Sequence, residues 1–172
     1  METDLKERAE VAGKSYIFQD LEPDELEAMA QIMNPCEFKS GETIMKEGQT
    51  GRSMYLIASG EVQVSKSLTM KFGEDDFRET EKTLSVFRAE DHVVFGEMAL
   101  VTEGERSATI ACLSDCRLYK ISRDDFLNLS HARPSLAFKV TMRLAELLSQ
   151  RLKKSGDDVV RLTTALSIAL SQ

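Results

Sequence analysis

A change in the spacing of apolar residues divides this chain into three parts. Between Pro35 and Arg123 the apolar residues form short runs separated by glycines, whereas the flanking segments repeat them at helical spacing. Short strands at this spacing are typical of a barrel or a double-sheet jelly roll. The strand candidates are 54–57, 62–64, 83–87, 93–95, 108–112 and 117–121. The polar turn at 73–76 predicts the tip of a long hairpin.

The N-terminal part predicts two helices. Residues 1–17 carry mixed charges around a few apolar residues, which is typical of a short or frayed helix. A second helix is expected to be capped by Asp20 and to have Pro23 in its first turn. Asn34 and Pro35 are expected to end it.

The C-terminal part returns to helical spacing. Residues 124–129 predict one or two turns, and Pro134 opens a longer helix. Its apolar seam is Leu144, Leu148, Leu152, Val159, Leu162, Leu166 and Leu170. Because one small domain cannot cover so long a helix, we expect part of the seam to meet a second copy of the chain. The alternative is a helix folded back on the barrel. Gly156 weakens the helix and marks a hinge or a close approach.

The expected fold is therefore mainly β with flanking helices: a jelly-roll β-barrel followed by a long C-terminal dimerisation helix. We expect 1–17 to be an N-terminal helical extension, 18–135 the β-roll domain and 136–172 the long helix.

Charge and composition exclude several classes of protein. Lys and Arg number 22 against 29 Asp and Glu, which gives a net charge of −7. A negative net charge is the wrong sign for a domain whose main function is to bind nucleic acid or anionic lipid, because both ligands are also negative. The N-terminus has no apolar signal-peptide core, and no uncharged apolar run is long enough to span a membrane. We therefore expect a cytoplasmic protein with no membrane partner.

The segment from Phe95 to Ile110 carries the most specific chemical signal. Gly96 allows a backbone to approach a ligand closely, and the amides of Met98 and Ala99 open a one-turn helix. Glu97 would repel a phosphate, so we expect it to face neutral hydroxyls while Arg106 faces the anion. A sugar phosphate fits this division.

These residues resemble the phosphate-binding cassette of the cyclic-nucleotide-binding domain family. PheGlyGluMetAlaLeu at 95–100 and ArgSerAlaThrIle at 106–110 carry the resemblance, and 40–62 is similar to the first half of the family's domain. The resemblance covers about residues 18–154 and implies an eight-stranded jelly roll (double-stranded β-helix) that binds cAMP or cGMP. It also implies that Glu97 takes the ribose 2′-hydroxyl and Arg106 the cyclic phosphate. The implied ligand-binding residues are Gly96, Glu97, Met98, Ala99, Arg106, Ser107 and Ala108.

The residues on either side of Arg106 bear on the affinity for the phosphate and on the choice of base. Kinase-type members often have proline at the position of Glu105. Glu105 and Ser107 are instead similar to the catabolite-activator branch. Ser107 adds a hydroxyl either to the phosphate or to a guanine amine.

Residues 143–152 resemble the dimer helix of the catabolite-activator branch, and Ser155 is a candidate base contact across the dimer. The branch continues into a helix-turn-helix domain, whereas this sequence ends at Gln172, so we expect no DNA binding.

Other interpretations of these residues are structural. Glu97 and Arg106 alternatively form an ion pair on a loop, and Gly48, Gly51 and Gly60 are interpreted as turn residues without ligand contact. His92 and His131 have no neighbouring ligand set, and Cys36, Cys112 and Cys116 do not complete a metal or cluster site. We expect no metal, no cofactor and no catalysis, because no nucleophile and base can be paired.

The sequence thus predicts a cyclic-nucleotide sensor whose output is a change in its C-terminal helix and homodimer, transmitted to an unknown protein effector. The alternative is a scaffold whose barrel is empty or holds another effector. A DNA binder acting through surface lysines is a weaker possibility, and an enzyme is weaker still.

Overall fold

The computed structural model describes residues 2–71 and 77–171, which form two antiparallel sheets with helices at both ends of the chain. The strands are β1 Asn34–Phe38, β2 Thr43–Met45, β3 Ser53–Ser59, β4 Glu61–Lys71, β5 Phe77–Arg88, β6 Val94–Phe95, β7 Thr109–Cys112 and β8 Cys116–Ser122. The helices are α1 Glu2–Gly13, α2 Pro23–Gln31, α3 Met98–Val101, α4 Arg123–Ala132 and α5 Pro134–Leu170, with 3₁₀ turns at Tyr16–Phe18 and Ala89–Asp91. The turn predicted at 73–76 lies outside the described residues.

Each sheet has four strands, in the orders β1-β8-β3-β6 and β2-β7-β4-β5. This confirms the predicted jelly roll with flanking helices and a long C-terminal helix. Strands β4 and β5 form one long hairpin, paired from Glu61 and Arg88 to Lys71 and Phe77. Strand β1 was not predicted. It begins at Asn34, where the sequence indicated only the end of a helix.

Strand β3 is buried on both faces and separates two apolar cores. Tyr55 and Ile57 pack inside the barrel, where Tyr55 stacks on Phe95 with ring centroids 5.5 Å apart. Met54 and Leu56 point the opposite way, into a core shared with the helices. Because side chains alternate across a strand, this one segment joins the barrel to the helical layer.

The N-terminus of α2 differs from the prediction. Its capping residue is Glu22, whose backbone amide donates to the Glu25 carboxylate at 2.9 Å in a capping box. Asp20, predicted as the cap, instead accepts two hydrogen bonds from Arg143 of α5, at 2.6 and 2.9 Å. A bidentate guanidinium–carboxylate pair therefore ties the N-terminal segment to the long helix.

Helix α5 has 37 residues, a length of about 55 Å, and passes through Gly156 without a break. Leu136, Val140 and Leu144 are buried against the helical core, whereas every residue from Ser149 to Ser171 is exposed. Leu144 of the predicted seam faces its own domain, so it lies outside the part of the seam expected to meet a second copy. Among the described residues, no helix is both long and apolar enough to cross a membrane.

A different stripe of α5 is exposed along its whole length. It follows a strict heptad spacing of alternating four- and three-residue steps, and we call it the exposed seam: Phe138, Met142, Ala145, Ser149, Leu152, Gly156, Val159, Thr163, Leu166 and Leu170. Leu152, Leu166 and Leu170 are 74%, 59% and 78% exposed. Such a stripe is the pattern of a helix that pairs with another helix.

Candidate functional site

A cavity of about 640 Å³ lies between the barrel strands, α3 with the loop that follows it, and α5. Its volume is within the range of small-ligand sites. Seven of the eight predicted site residues line it: Gly96, Glu97, Met98, Ala99, Arg106, Ser107 and Ala108. The structure thus brings the two halves of the predicted cassette onto one cavity.

Arg106 supplies a positive charge to this cavity. Its Nη2 donates to the Ser53 carbonyl at 2.8 Å, and its Nη1 donates to the Gly96 carbonyl at 3.4 Å. Burial lowers the pKa of its guanidinium, although the ordinary value is so high that the group stays charged. No carboxylate among the described residues forms an ion pair with it. A half-buried cation without a carboxylate partner is chemically suited to an anionic ligand.

Two glycines make room for this side chain. A Cβ on Gly51 would lie 2.0 Å from Arg106 Nε and 2.3 Å from its Cζ. Gly96 has a φ of +71°, and a Cβ there would lie 2.7 Å from Arg106 Nη1. Gly51 also lines the cavity, which its interpretation as a turn residue did not indicate. Its backbone packs closely against the Arg106 guanidinium.

Glu97 is 3% exposed and forms an ion pair with Arg151 of α5. The alternative of a structural Glu97–Arg106 ion pair is therefore wrong, because the carboxylate binds the long helix instead. A carboxylate so deeply buried needs hydrogen-bond donors. In this protein α5 supplies one, and ligand hydroxyls are chemically suited to supply others.

The backbone amides around the cavity differ in availability. The Ala99 amide, predicted to face the phosphate, donates to the Gly96 carbonyl at 3.1 Å within its own turn. The amides of Ser107 and Ala108 form no hydrogen bond with any described residue, and both residues line the cavity beside Arg106. The donors available to an anion therefore include these two amides on the arginine side of the cassette and, at the start of α3, the Met98 amide, which also has no acceptor among the described residues.

The opposite part of the cavity is mostly apolar. Strands β4, β5 and β7 contribute Val64, Phe87 and Ile110, and α5 contributes Leu147 and Leu148. Apolar and aromatic side chains suit a flat, weakly polar ring. One cavity thus combines a cationic end, a buried carboxylate and an apolar wall.

Two polar residues of α5 were missed by sequence reasoning. Arg151 and Lys154 line the cavity one helical turn apart, on the same face as Leu147. Ser155, the predicted base contact, is exposed and does not line the cavity of its own chain. The sequence signal was a basic pair at helical spacing, but it did not indicate which way the helix faces.

The remaining candidates for chemistry lie elsewhere. Among the described residues, no group of three or more His, Cys, Asp or Glu is placed to hold a metal ion. Cys36, Cys112 and Cys116 are free thiols. Burial raises the pKa of Cys112 to about 12, which makes its thiolate scarce at neutral pH.

Comparison with known proteins agrees with this geometry. A family model described as "Cyclic nucleotide-binding domain" matches residues 35–133. The cyclic AMP receptor protein of Thermus thermophilus is 32% identical over 82% of this chain and 59% of its own length. The cAMP-dependent protein kinase regulatory subunit of Aspergillus fumigatus is 27% identical over 66% of this chain and 24% of its own. The chain spans 59% and 62% of the length of two bacterial relatives that it matches.

Solved structures show the same likeness. The Thermus thermophilus catabolite activator protein superposes with a TM-score of 0.72 at 31% identity, covering 87% of this chain and 63% of that one. A cyclic nucleotide-binding domain from Methylobacillus flagellatus gives a TM-score of 0.73 at 25% identity, covering 92% and 84%. Both superpositions cover more residues than the barrel alone contains.

Proposed function

Because the chain belongs to the cyclic nucleotide-binding domain family, we propose that it is a regulatory protein that binds cAMP or cGMP and signals through α5. One observation carries this proposal: Arg106, which forms no ion pair with any described carboxylate, and the buried carboxylate of Glu97 line the same cavity. The first matches a cyclic phosphate and the second a ribose hydroxyl. The cyclic AMP receptor protein and the kinase regulatory subunit among its relatives support the same ligand class.

The cassette is proposed to hold the sugar phosphate. Arg106 and the amides of Ser107 and Ala108 donate to the phosphate oxygens, and Ser107 adds its hydroxyl. Gly96, Met98 and Ala99 shape the turn that presents Glu97 to the ribose. The base then occupies the apolar part of the cavity, between the strands and α5.

The ion pair between Glu97 and Arg151 is proposed to couple the ligand to α5. A ribose hydroxyl that donates to Glu97 competes with Arg151 for the same buried carboxylate. Binding therefore changes the strength of the attachment that holds this turn of α5 to the barrel. A ligand shifts the helix only by binding one arrangement better than the other.

The exposed seam of α5 is proposed to pair with the same seam of a second copy. Its heptad spacing runs from Phe138 to Leu170, and small residues (Ala145, Ser149 and Gly156) permit close approach in its middle. Arg151 and Lys154 lie on the other side of the helix, facing the cavity. One helix thus contacts ligand with one face and its partner with the other. Ser155, next to the seam, remains a candidate contact across the dimer.

The output is proposed to be conformational and received by an unidentified protein partner in the cytoplasm. The net charge of −7 disfavours direct binding of nucleic acid or anionic lipid. We therefore propose no DNA, membrane, metal or catalytic role for these residues.

The proposal is tested by isothermal titration of purified protein with cAMP, cGMP and 5′-AMP, after removal of any co-purified nucleotide. We expect micromolar or tighter binding of at least one cyclic nucleotide at one site per chain. We expect 5′-AMP, whose phosphate is doubly charged and not fused to the ribose, to bind far more weakly. Failure of both cyclic nucleotides to bind would favour the alternative of a scaffold with another effector.

A further inference from the structure

The part of the cavity left for the base contains few polar side chains. Outside the cassette and the loop that follows it, the polar side chains of the lining are those of Ser85, Arg151 and Lys154. The Ser85 hydroxyl donates to the Leu84 carbonyl at 2.8 Å, and Arg151 is bound to Glu97. Lys154 has no hydrogen bond or ion pair with any described residue. It is therefore the polar side chain of this wall that is free to contact a ligand.

The position of Lys154 follows from the helix. It lies three residues beyond Arg151, about 4.5 Å further along the axis and on the same side. In the proposed complex the ribose lies at Glu97, and Arg151 lies beside it because it is bound to that carboxylate. The phosphate end, in contrast, is marked by Arg106, Ser107 and Ala108. We infer that Lys154 meets the base and not the phosphate.

We propose that Lys154 sets the base preference of this site in favour of guanine, an inference that rests on the proposed cyclic-nucleotide function. A lysine ammonium has three hydrogen-bond donors and no acceptor. Guanine presents two adjacent acceptors, O6 and N7, whereas adenine presents N7 beside the N6 amino donor. An ammonium can therefore donate to both O6 and N7 of guanine. On adenine it can donate only to N7, and the neighbouring N6 amino group is itself a donor.

The test is titration of the full chain with cGMP, cAMP and cyclic IMP. We expect cGMP to bind about tenfold or more tightly than cAMP, the effect of one charged hydrogen bond. Cyclic IMP keeps O6 and N7 but lacks the 2-amino group. If Lys154 provides the preference, cyclic IMP binds within a few-fold of cGMP. If Ser107 provides it through the guanine amine, cyclic IMP loses the advantage and the proposal fails.

Variants of α5 complete the test. Lys154→Met removes the donor and keeps most of the length of the unbranched side chain, so the ratio of cGMP to cAMP affinity is expected to fall close to one. Lys154→Arg is expected to retain it. Lys153→Met is the matched control, since Lys153 is exposed and does not line the cavity. Its ratio is expected to match that of the unmodified protein.

Besides the result with cyclic IMP, two further results overturn the assignment. Equal loss of cAMP and cGMP affinity in Lys154→Met means that the ammonium binds the phosphate, and a preference of the unmodified protein for cAMP contradicts it directly. If none of the three cyclic nucleotides binds, the proposed function itself is contradicted. This outcome can be told apart from a failure of the Lys154 assignment, because the results that overturn the assignment all require binding.

Discussion

Glu97 and Arg151 are 54 residues apart in the chain and form an ion pair that joins the α3 loop to the long C-terminal helix. Glu97 is buried, whereas the Arg151 side chain is 43% exposed. The carboxylate therefore depends on its partner more than the guanidinium does. This contact makes α5 part of the site.

A double-mutant cycle measures this dependence. We expect Arg151→Ala and Glu97→Gln each to lower the free energy of unfolding of the ligand-free protein. The double variant should lose less than the sum, with a coupling energy of about 1 kcal/mol, because either change alone removes the same pair. Urea denaturation of the four proteins gives the values. Strict additivity would show that the contact stabilises nothing.

Gly51→Ala should weaken ligand binding without altering any charge. The new methyl group overlaps the Arg106 guanidinium, so the arginine must leave its place between the Ser53 and Gly96 carbonyls. The expected result is a folded protein with at least about tenfold weaker nucleotide binding by titration.

Gly104→Ala is the matched control for this change. Gly104 also lines the cavity, but a Cβ there has no neighbour within 4 Å. Its affinity should stay within about twofold of the unmodified protein. Equal affinities for Gly51→Ala and Gly104→Ala would mean that the position of Arg106 does not matter.

Acid stability should depend on Glu25. Hydrogen bonds from Lys139, at 2.7 Å, and from the Glu22 amide hold the pKa of its carboxyl below the usual 4.5. A depressed folded-state pKa stabilises the protein above the unfolded-state value, and this stabilisation is lost as pH falls through the folded-state value. The melting temperature of Glu25→Gln should therefore lie below that of the unmodified protein at pH 7, and the gap should shrink below about pH 4.5.

Thermal scans between pH 7 and pH 3 test this expectation. A gap that is the same at every pH would mean that ionisation of the Glu25 carboxyl contributes no stability.

Leu166→Glu should break the proposed dimer. Leu166 lies on the exposed seam, and two glutamates meeting there would place like charges in an apolar interface. Ile168→Glu is the control, because Ile168 is equally exposed at 59% but lies off the seam. Sedimentation equilibrium should show monomers for the first variant and the unmodified state for the second. The seam assignment fails if Ile168→Glu dissociates the protein and Leu166→Glu does not.

The sequence predicted the barrel well where its signals are local. The predicted run 54–57 lies within β3, and 117–121 lies within β8, because buried strands are nearly continuous apolar runs. Strand β1 was missed because Pro35 argues against a strand. It is tolerated there because β1 is an edge strand and proline lacks only a ladder donor.

The residues that line the cavity were predicted wherever they are close in sequence. Gly96 to Ala99 and Arg106 to Ala108 belong to one segment, and a short loop brings them together. Arg151 and Lys154 were missed because the orientation of α5 depends on packing that the local pattern does not encode. Leu144 illustrates the same difficulty. Two apolar stripes run along α5, and which of them is buried depends on packing against the core and not on the local sequence.

The most direct test of the account is titration of Arg106→Ala with the cyclic nucleotide that the unmodified protein binds. Loss of the phosphate's charged partner should weaken binding by about 10²-fold or more. Arg161→Ala, which removes an exposed arginine far along α5, should bind normally. Binding by Arg106→Ala within a few-fold of the unmodified protein would contradict the assignment of this cavity as the nucleotide site.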